Sequence, residues 1–346
     1  MKIITRAAFI RLFLLALSGV LILLFFIIIF LKMPNAVCEG TAENTDKLAE
    51  QLKRDVEYLA DKIGPRNLTE YSNLRKAADF IESSFSDMGY KVNKYGYKAK
   101  PGLISKQAWG DTQNQIYSNI EAELKGTVHP EQIVILGAHY DSVPLSKCRG
   151  ANDNASGVAG VLAMARLFAK EKPKRTIRFV AFANEEPPFF HTESMGSFVY
   201  AKQCREKKEN IIAMFCLDTI GYFSEEDGSQ NYPPPLQLFY PSKGNFIAFV
   251  SNMSSVGLLR KSIEIFKANS PLPAEGAAVP GIVPGSNWSD HCSFWQNGYS
   301  AVLITDTAIY RYPFYHQNND NSDKINYNKT AQLIKGLQAV LKAQAD

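Results

Sequence analysis

Residues 133–168, IVILGAHYDSVPLSKCRGANDNASGVAGVLAMARLF, constrain this chain more than any other stretch. Ile133, Val134, Ile135 and Leu136 make a continuous apolar run of the kind that fits a strand buried on both faces, and it closes on small residues just before His139 and Asp141. A loop then delivers Asp153, after which Val158, Leu162, Ala165 and Phe168 recur at helical spacing. The order is strand, loop, helix, with a His-x-Asp pair at the strand's C-terminal end and a lone Asp where the helix starts. Open α/β sheets hold ligands and catalytic groups there, in the crevice above the carboxyl ends of the strands.

The remaining pattern extends this unit into one domain. Leu48, Leu52, Val56, Leu59 and Ile63 recur at helical spacing and Gly64-Pro65 ends that helix; a second helix covers 70–88, with Gly89 at its C-terminus. Residues 91–98 and 116–124 alternate like exposed strands. Strands are expected at 176–183, 211–217 and 301–305, an edge strand at 236–240 behind Pro233, Pro234 and Pro235, and helices at 195–207, 245–267, from Asp290, and at 328–342. Residues 270–288 read as a Pro- and Gly-rich loop long enough to form a functional rim. Alternating strands and helices predict a single α/β domain over 46–346, with a mixed, mostly parallel central sheet and helices on both faces.

Composition matters mainly at the N-terminus. Residues 12–31 carry no charge and are preceded by Lys2, Arg6 and Arg11, and about twenty apolar residues are what one bilayer-spanning helix requires. The run is longer than a signal-peptide core and lacks a clear small-x-small cleavage site before Lys32. The expectation is a cytoplasmic basic segment at 1–11, a transmembrane signal anchor at 12–31, a linker at 32–45, and a domain delivered to the periplasmic, extracellular or lumenal side. A net charge of +4 spread over 346 residues leaves no basic footprint for nucleic acid. The five cysteines, Cys38, Cys148, Cys204, Cys216 and Cys292, include no CxxC pair, which argues against a disulfide framework or a structural zinc site.

Further chemistry-bearing residues follow the other apolar runs. Glu185 and Glu186 come after 176–183, Asp218 after 211–217, and His316 after 301–305. Each alone is ordinary, since an Asp or Glu after a strand is commonly a helix cap and a lone His a structural residue. Strands of a parallel sheet share a direction, however, so all of these can converge on one edge. Two adjacent glutamates beyond a buried strand repel unless a cation compensates, and two histidines with three carboxylates are donors that zinc accepts at about 2.0–2.2 Å. One shared carboxylate would give each of two metals a His, a carboxylate and the bridge, leaving one glutamate free as a base.

As a set and in this order, His139-x-Asp141, Asp153 before Asn154-Ala155-Ser156-Gly157, Glu185-Glu186, Asp218 and Tyr315-His316 resemble the signature of the co-catalytic zinc aminopeptidases, peptidase family twenty-eight of the metallopeptidases. The resemblance covers about 46–342. It implies two zinc ions, one held by His139 and Asp218 and the other by Glu186 and His316, with Asp153 bridging. It makes Glu185 the general base, Asp141 the carboxylate orienting His139, and peptides the substrate. Ser289-Asp290-His291 is similar to the same family, including its glutaminyl cyclases. In those relatives one zinc sits on the equivalents of Asp153, Glu186 and His316, while Glu185, Asp218 and Asp290 handle protons. The ligands alone leave hydrolase and cyclase unseparated, and Asp290 is either a pocket residue or a helix cap. A third reading is a catalytically silent domain that binds peptides in the same cleft.

Overall fold

A computed structural model of the protein describes residues 6–31, 45–100, 115–145 and 147–346, and the side chains of these apart from 22–31. Helix α1 (Arg6–Leu31) is followed, after the linker, by α2 (Asp46–Val56), which widens into a looser helical turn over Glu57–Ile63. Gly64 then takes φ +85°, and the chain leaves the helix as Gly64-Pro65 predicts. Next come α3 (Tyr71–Asp87), β1 (Lys91–Lys98), β2 (Ile116–Leu124), β3 (His129–His139), α4 (Gly157–Phe168), β4 (Arg175–Phe182), α5 (Gly196–Glu206) and β5 (Asn210–Leu217). The chain closes with β6 (Ile247–Ser251), α6 (Val256–Asn269), β7 (Ala274–Ala278), α7 (His291–Gln296), β8 (Ala301–Thr305) and α8 (Tyr327–Ala345).

The eight strands form one sheet in the order β1-β2-β4-β3-β5-β8-β6-β7. Strands β4, β3, β5 and β8 are mutually parallel, so their C-terminal ends share one edge. The flanks are antiparallel, with β2 against β4 and β6 against β8. Along β3 the side chains divide by parity, as a strand buried on both faces must. Val134, Leu136 and Ala138 join a large core with Leu52, Ile81, Leu162, Phe266 and Leu337 of α2, α3, α4, α6 and α8. Ile133 and Ile135 face the other way, onto Tyr200 and Phe294 of α5 and α7. The expected α/β class, with a mixed sheet covered on both faces, holds.

Several local expectations change. The segment at 236–240 is no edge strand: its described backbone turns through a short 3₁₀ helix at Leu236–Leu238, because three consecutive prolines remove ladder donors and fix φ. The helix expected at 245–267 begins only at Val256, and its first part is strand β6, an apolar β-branched and aromatic run short enough to fit either period. The 270–288 rim contains β7, whose sequence, AEGAA, has too little alternation to announce a strand. Strand β2, expected to be exposed, is largely buried under α3 and α5.

Among the residues whose side chains are described, no helix is long and apolar enough to cross a membrane. The side chains of α1 are described only through Leu21, where Phe9, Leu12, Phe13, Leu14 and Leu15 are exposed. The second half of the 12–31 run, most of the linker, and Cys38 lie outside the described side chains or residues. Cys148, Cys204, Cys216 and Cys292 are free and buried.

Candidate metal centre

The expected donors meet at the shared edge of the parallel strands. His139 is the last residue of β3, Asp218 follows β5, and Glu185 and Glu186 follow β4 within a few residues. Asp153 comes from an irregular turn, Ala151–Ser156, in which Asp153 and Asn154 leave helical geometry; it precedes α4 rather than capping it. His316 reaches in from the loop after β8 and stays a quarter exposed at the mouth, while His139 is fully buried.

Asp153 faces both histidines. Its Oδ1 lies 3.3 Å from His139 Nε2, and its Oδ2 lies 3.1 Å from His316 Nε2. Asp218 Oδ1 stands 3.6 Å from the first imidazole nitrogen, and Glu186 Oε2 stands 3.3 Å from the second. His139, Asp153 and Asp218 make one donor set and Asp153, Glu186 and His316 another, the donor atoms of each lying within 4.8 Å of one another. Donors about 2.0–2.1 Å from a tetrahedral ion stand roughly 3.3 Å apart, so both sets have the spacing of metal ligands. Glu185 Oε2 is 3.9 Å from His139 Nε2 and belongs to neither set.

Several of these polar atoms make no hydrogen bond within the protein. His139 Nδ1 and Nε2, Glu186 Oε1 and His316 Nε2 are buried without hydrogen bonds, as are both carboxyl oxygens of Asp290. Buried polar groups are normally paired because orphaning them is costly, and a bound cation resolves the cost for this donor set. The titration behaviour agrees. Burial depresses His316, but the charge of Glu186 and the contact with Asp153 outweigh it and lift the imidazole to about 10. His139 is likewise raised, its burial being overcome by Glu185 and by Asp141, Asp153 and Asp218. Burial and then the charge of Asp153 lift Glu186 to about 7. Burial raises Glu185 further, with Glu186, Asp218 and Asp290 adding repulsion. Excess negative charge is thus gathered in a site of low dielectric.

A shell of hydrogen bonds fixes the donors. Asp141 Oδ1 lies 3.5 Å from His139 Nδ1 and accepts from the Glu185 N–H, while Oδ2 accepts from the Glu186 N–H, so one carboxylate sets a histidine and both glutamates. Asp320 Oδ1 accepts from Asn152 N at 2.8 Å and from Tyr312 Oη at 2.6 Å, and its Oδ2 accepts from Asp153 N at 3.1 Å. Asn152 Nδ2 donates to Asp306 Oδ2 at 2.8 Å. Arg66, fully buried, donates to Tyr140 O and Gly150 O and ties together the ends of the loop that carries Asp141. Gly150 has φ +58°, and a Cβ there would fall 2.3 Å from Asp153 O. Beside Asp218 and Tyr315 opens a cavity of ≈ 130 Å³.

Sequence reasoning missed Asp306, Asp320, Asn152 and Arg66. Asp306 follows β8 just as Asp218 follows β5, so the same rule would have found it. Asp320 sits in a polar stretch with no periodicity, and Arg66 lies outside the motifs. Asp290 stands at the N-cap of α7 but makes no capping hydrogen bond; burial, with the charges of Asp218 and Asp141, raises its carboxyl to about 7. His191 is exposed and bonds Asn287 O.

The model of peptidase family M28 matches residues 119–341, which contain every donor. The chain belongs to peptidase family M28. Escherichia coli YfbL, an uncharacterised protein, is 36% identical over 299 residues, covering 84% of this chain and 87% of that protein. A probable zinc metalloprotease of Pyrenophora tritici-repentis is 37% identical over 140 residues, 38% of this chain, and the match spans only 31% of that longer protein. Among solved structures, an aminopeptidase from Aneurinibacillus sp. strain AM-1 superposes with a TM-score of 0.60 at 19% identity, covering 86% of this chain and 93% of its own. A Fimbriiglobus ruber glutaminyl cyclase superposes with 0.62 at 18% identity, covering 89% and 99%. At those identities the fold is shared. This M28 chain therefore has a peptidase-family fold with two donor sets joined at Asp153.

Proposed function

We propose that this M28 chain is a membrane-anchored, two-zinc exopeptidase that releases N-terminal residues from peptides. The carrying observation is that the two oxygens of Asp153 face the two histidines, each within a complete set of three donors. His139 and Asp218 would hold one ion, Glu186 and His316 the other, with Asp153 between them. Zinc so bound supplies a water of lowered pKa and polarises the scissile carbonyl. Glu185 lies beside the sets but in neither, and its buried carboxyl has the raised proton affinity of a group that takes a proton from water and returns it to the departing amine. Asp141 holds His139 and the Glu185 backbone in register for that transfer. Aminopeptidase rather than carboxypeptidase polarity is supported by the fold shared with the Aneurinibacillus aminopeptidase.

A second reading, single-zinc glutaminyl cyclisation, is supported by Asp290, buried near Glu185 with both oxygens unpartnered. The proximity of Asp218 to His139 favours its role as a ligand and hence the hydrolase. The anchoring rests on the uncharged run 12–31 with its basic flank, and it places the catalytic domain away from the cytosol. Metal content of the purified protein and of Asp218→Ala, beside an assay on aminoacyl and glutaminyl peptides, tests the reading. About two zinc per chain, falling toward one in the variant, with release of free amino acids, is expected. About one zinc insensitive to Asp218, with pyroglutamate formed, would replace it with the cyclase, and no bound metal would sink both.

A further inference from the structure

Four bulky apolar side chains are exposed around the mouth of the cavity beside Asp218. Leu238 is 74% exposed, Ile282 88%, Trp288 41% and Ile309 40%. Singly such residues are ordinary on a protein surface, but these belong to three loops bonded to one another. Tyr310 Oη donates to Pro284 O at 3.1 Å, and Tyr310 O accepts from Asn231 N at 2.8 Å, so the Ile309 turn bridges the loop of Leu238 and the loop of Ile282 and Trp288. Gln230 N donates to Ser242 O, which closes 230–242 into one loop, and Tyr232 stacks on Tyr240 within it at 5.8 Å. Leu236, Val283, Trp288 and Ile309 line the cavity itself, which keeps Leu238 and Ile282, their near neighbours in the chain, at its rim. Residues 228–242, 276–289 and 307–310 contain no charged side chain, although 21% of the whole chain is charged.

An uncharged rim of this kind suits lipid better than protein. Protein interfaces surround an apolar centre with polar and charged groups, and these loops offer no charge for a partner to complement. Trp and Tyr, apolar at one end and polar at the other, are the side chains that settle at a membrane–water interface. The irregular backbone sets the depth: its polar groups must keep water, so the loops rest among headgroups and only side chains reach the acyl boundary. The tether ends on the same side. Helix α2 begins at Asp46, and its Ala49 and Lys53 share a surface groove with Phe223 and Asn328. Ser224 N in turn donates to Gly244 O, beside the foot of the 230–242 loop. A linker of the length of 32–45 spans at most about 50 Å, so a domain anchored through 12–31 stays within reach of the bilayer.

We propose that the rim of Leu238, Ile282, Trp288 and Ile309 docks on the bilayer that holds the anchor, so that the cavity opens toward lipid. The inference rests on the anchoring reading above and is independent of the reaction catalysed. The test reconstitutes the full chain in phosphatidylcholine vesicles, with or without acyl chains brominated near the glycerol, and reads tryptophan fluorescence. The difference between wild type and Trp288→Phe isolates Trp288 from Trp109 and Trp295. Trp288 should lose most of its emission in the brominated vesicles, and Leu238→Asp combined with Ile282→Asp should restore it at an unchanged circular dichroism spectrum. Trp288 emission that bromine leaves alone, or quenching that survives the double substitution, would overturn the proposal. Light scattering in detergent covers the competing occupant. An oligomer that the double substitution dissolves, in a chain whose Trp288 is not quenched, would assign the rim to a second copy and overturn the proposal as well. An alkaline wash separates the two readings. A chain that withstands the wash with Trp288 unquenched is anchored without docking, and this inference alone fails. A chain that is quenched on the vesicles yet stripped by the wash docks without an anchor, and the anchoring reading alone fails.

Discussion

The two ends of the crevice are built by opposite means. At the β3–β4–β5 end, strand termini and a hydrogen-bonded shell hold buried charges whose own polar atoms lack partners. At the β8–β6–β7 end, a floor of small residues is roofed by irregular segments around Tyr232 and Trp288. The first region stores electrostatic free energy for a cation to release, and the second stores empty apolar space for a side chain to fill. Chemistry needs the first to be rigid, since sub-ångström placement decides reactivity. Selectivity can be altered in the second without touching the donors.

The sharpest break between the regions is Glu185→Gln. The amide keeps the size of the side chain but cannot take a proton, so hydrolysis should fall by roughly a hundred- to ten-thousand-fold while zinc content stays at the wild-type value. Because Glu185 belongs to neither donor set, equal zinc content with lost turnover separates base from ligand. Unchanged turnover would mean that another group carries the proton.

Proton competition gives the next largest effect. In the metal-free protein His316, raised to about 10, holds its proton at neutral pH, and His139 is raised in the same direction, yet each must be neutral to bind zinc. Glu186, raised to about 7, adds a further proton below neutrality. The sign follows: zinc affinity climbs with pH, by about tenfold per unit for each proton displaced, through neutrality and toward the value of His316. Calorimetric titration of zinc in buffers of different ionisation enthalpy would count the protons. An affinity flat between pH 6 and 8 would show that the histidines are already neutral.

Removing a shell contact should matter less than removing a donor. Asp320→Asn keeps shape but places an amide where Asn152 N–H and Asp153 N–H need acceptors, so the Asp153 turn loses part of its anchor. Zinc affinity should fall roughly ten- to a hundred-fold, with side-chain preference unchanged. Equilibrium dialysis of zinc against a competing chelator measures the first, and a panel of peptides differing in the first residue the second. A changed preference would mean that the two regions are mechanically coupled.

The same contrast explains what could be read before folding. The donor end is legible because strands 133–136, 176–183, 211–217 and 301–305 announce themselves as apolar runs, and parallel strands bring whatever follows them to one edge. His139, Asp141, Glu185, Glu186 and Asp218 are therefore placed by a rule of topology. The shell was only partly legible: Asp306 obeys that rule, but Asp320 acts through backbone N–H groups far away in the chain, and no periodicity reports such a partner. The cavity was legible only as a place: residues 270–288 do line it, as the rim reading expects, but the elements that shape it were not. Residues 236–240 resemble a strand until three prolines are weighed against them, and β7, AEGAA, carries almost no hydrophobic signal because its small side chains exist to leave room. Absence of bulk is a function that pattern reading cannot see.

Filling that room gives the smallest effect. Ala248 pairs with Thr305 on one side and Glu275 on the other and lies on the cavity floor. Ala248→Leu places branched carbon in the cavity, while its neighbours Ile247 and Phe249 keep the opposite face packed in the core. Peptides with long or aromatic first residues should lose about tenfold in kcat/KM, in the range that steric fit in an apolar pocket commands, and alanyl peptides should be spared. Zinc content and the pH dependence of zinc binding should not move. A uniform loss across the panel would place the substrate's first side chain elsewhere. A loss of zinc would show that the floor of β6 also supports the donors, and the separation between the two ends would then be one of sequence legibility alone.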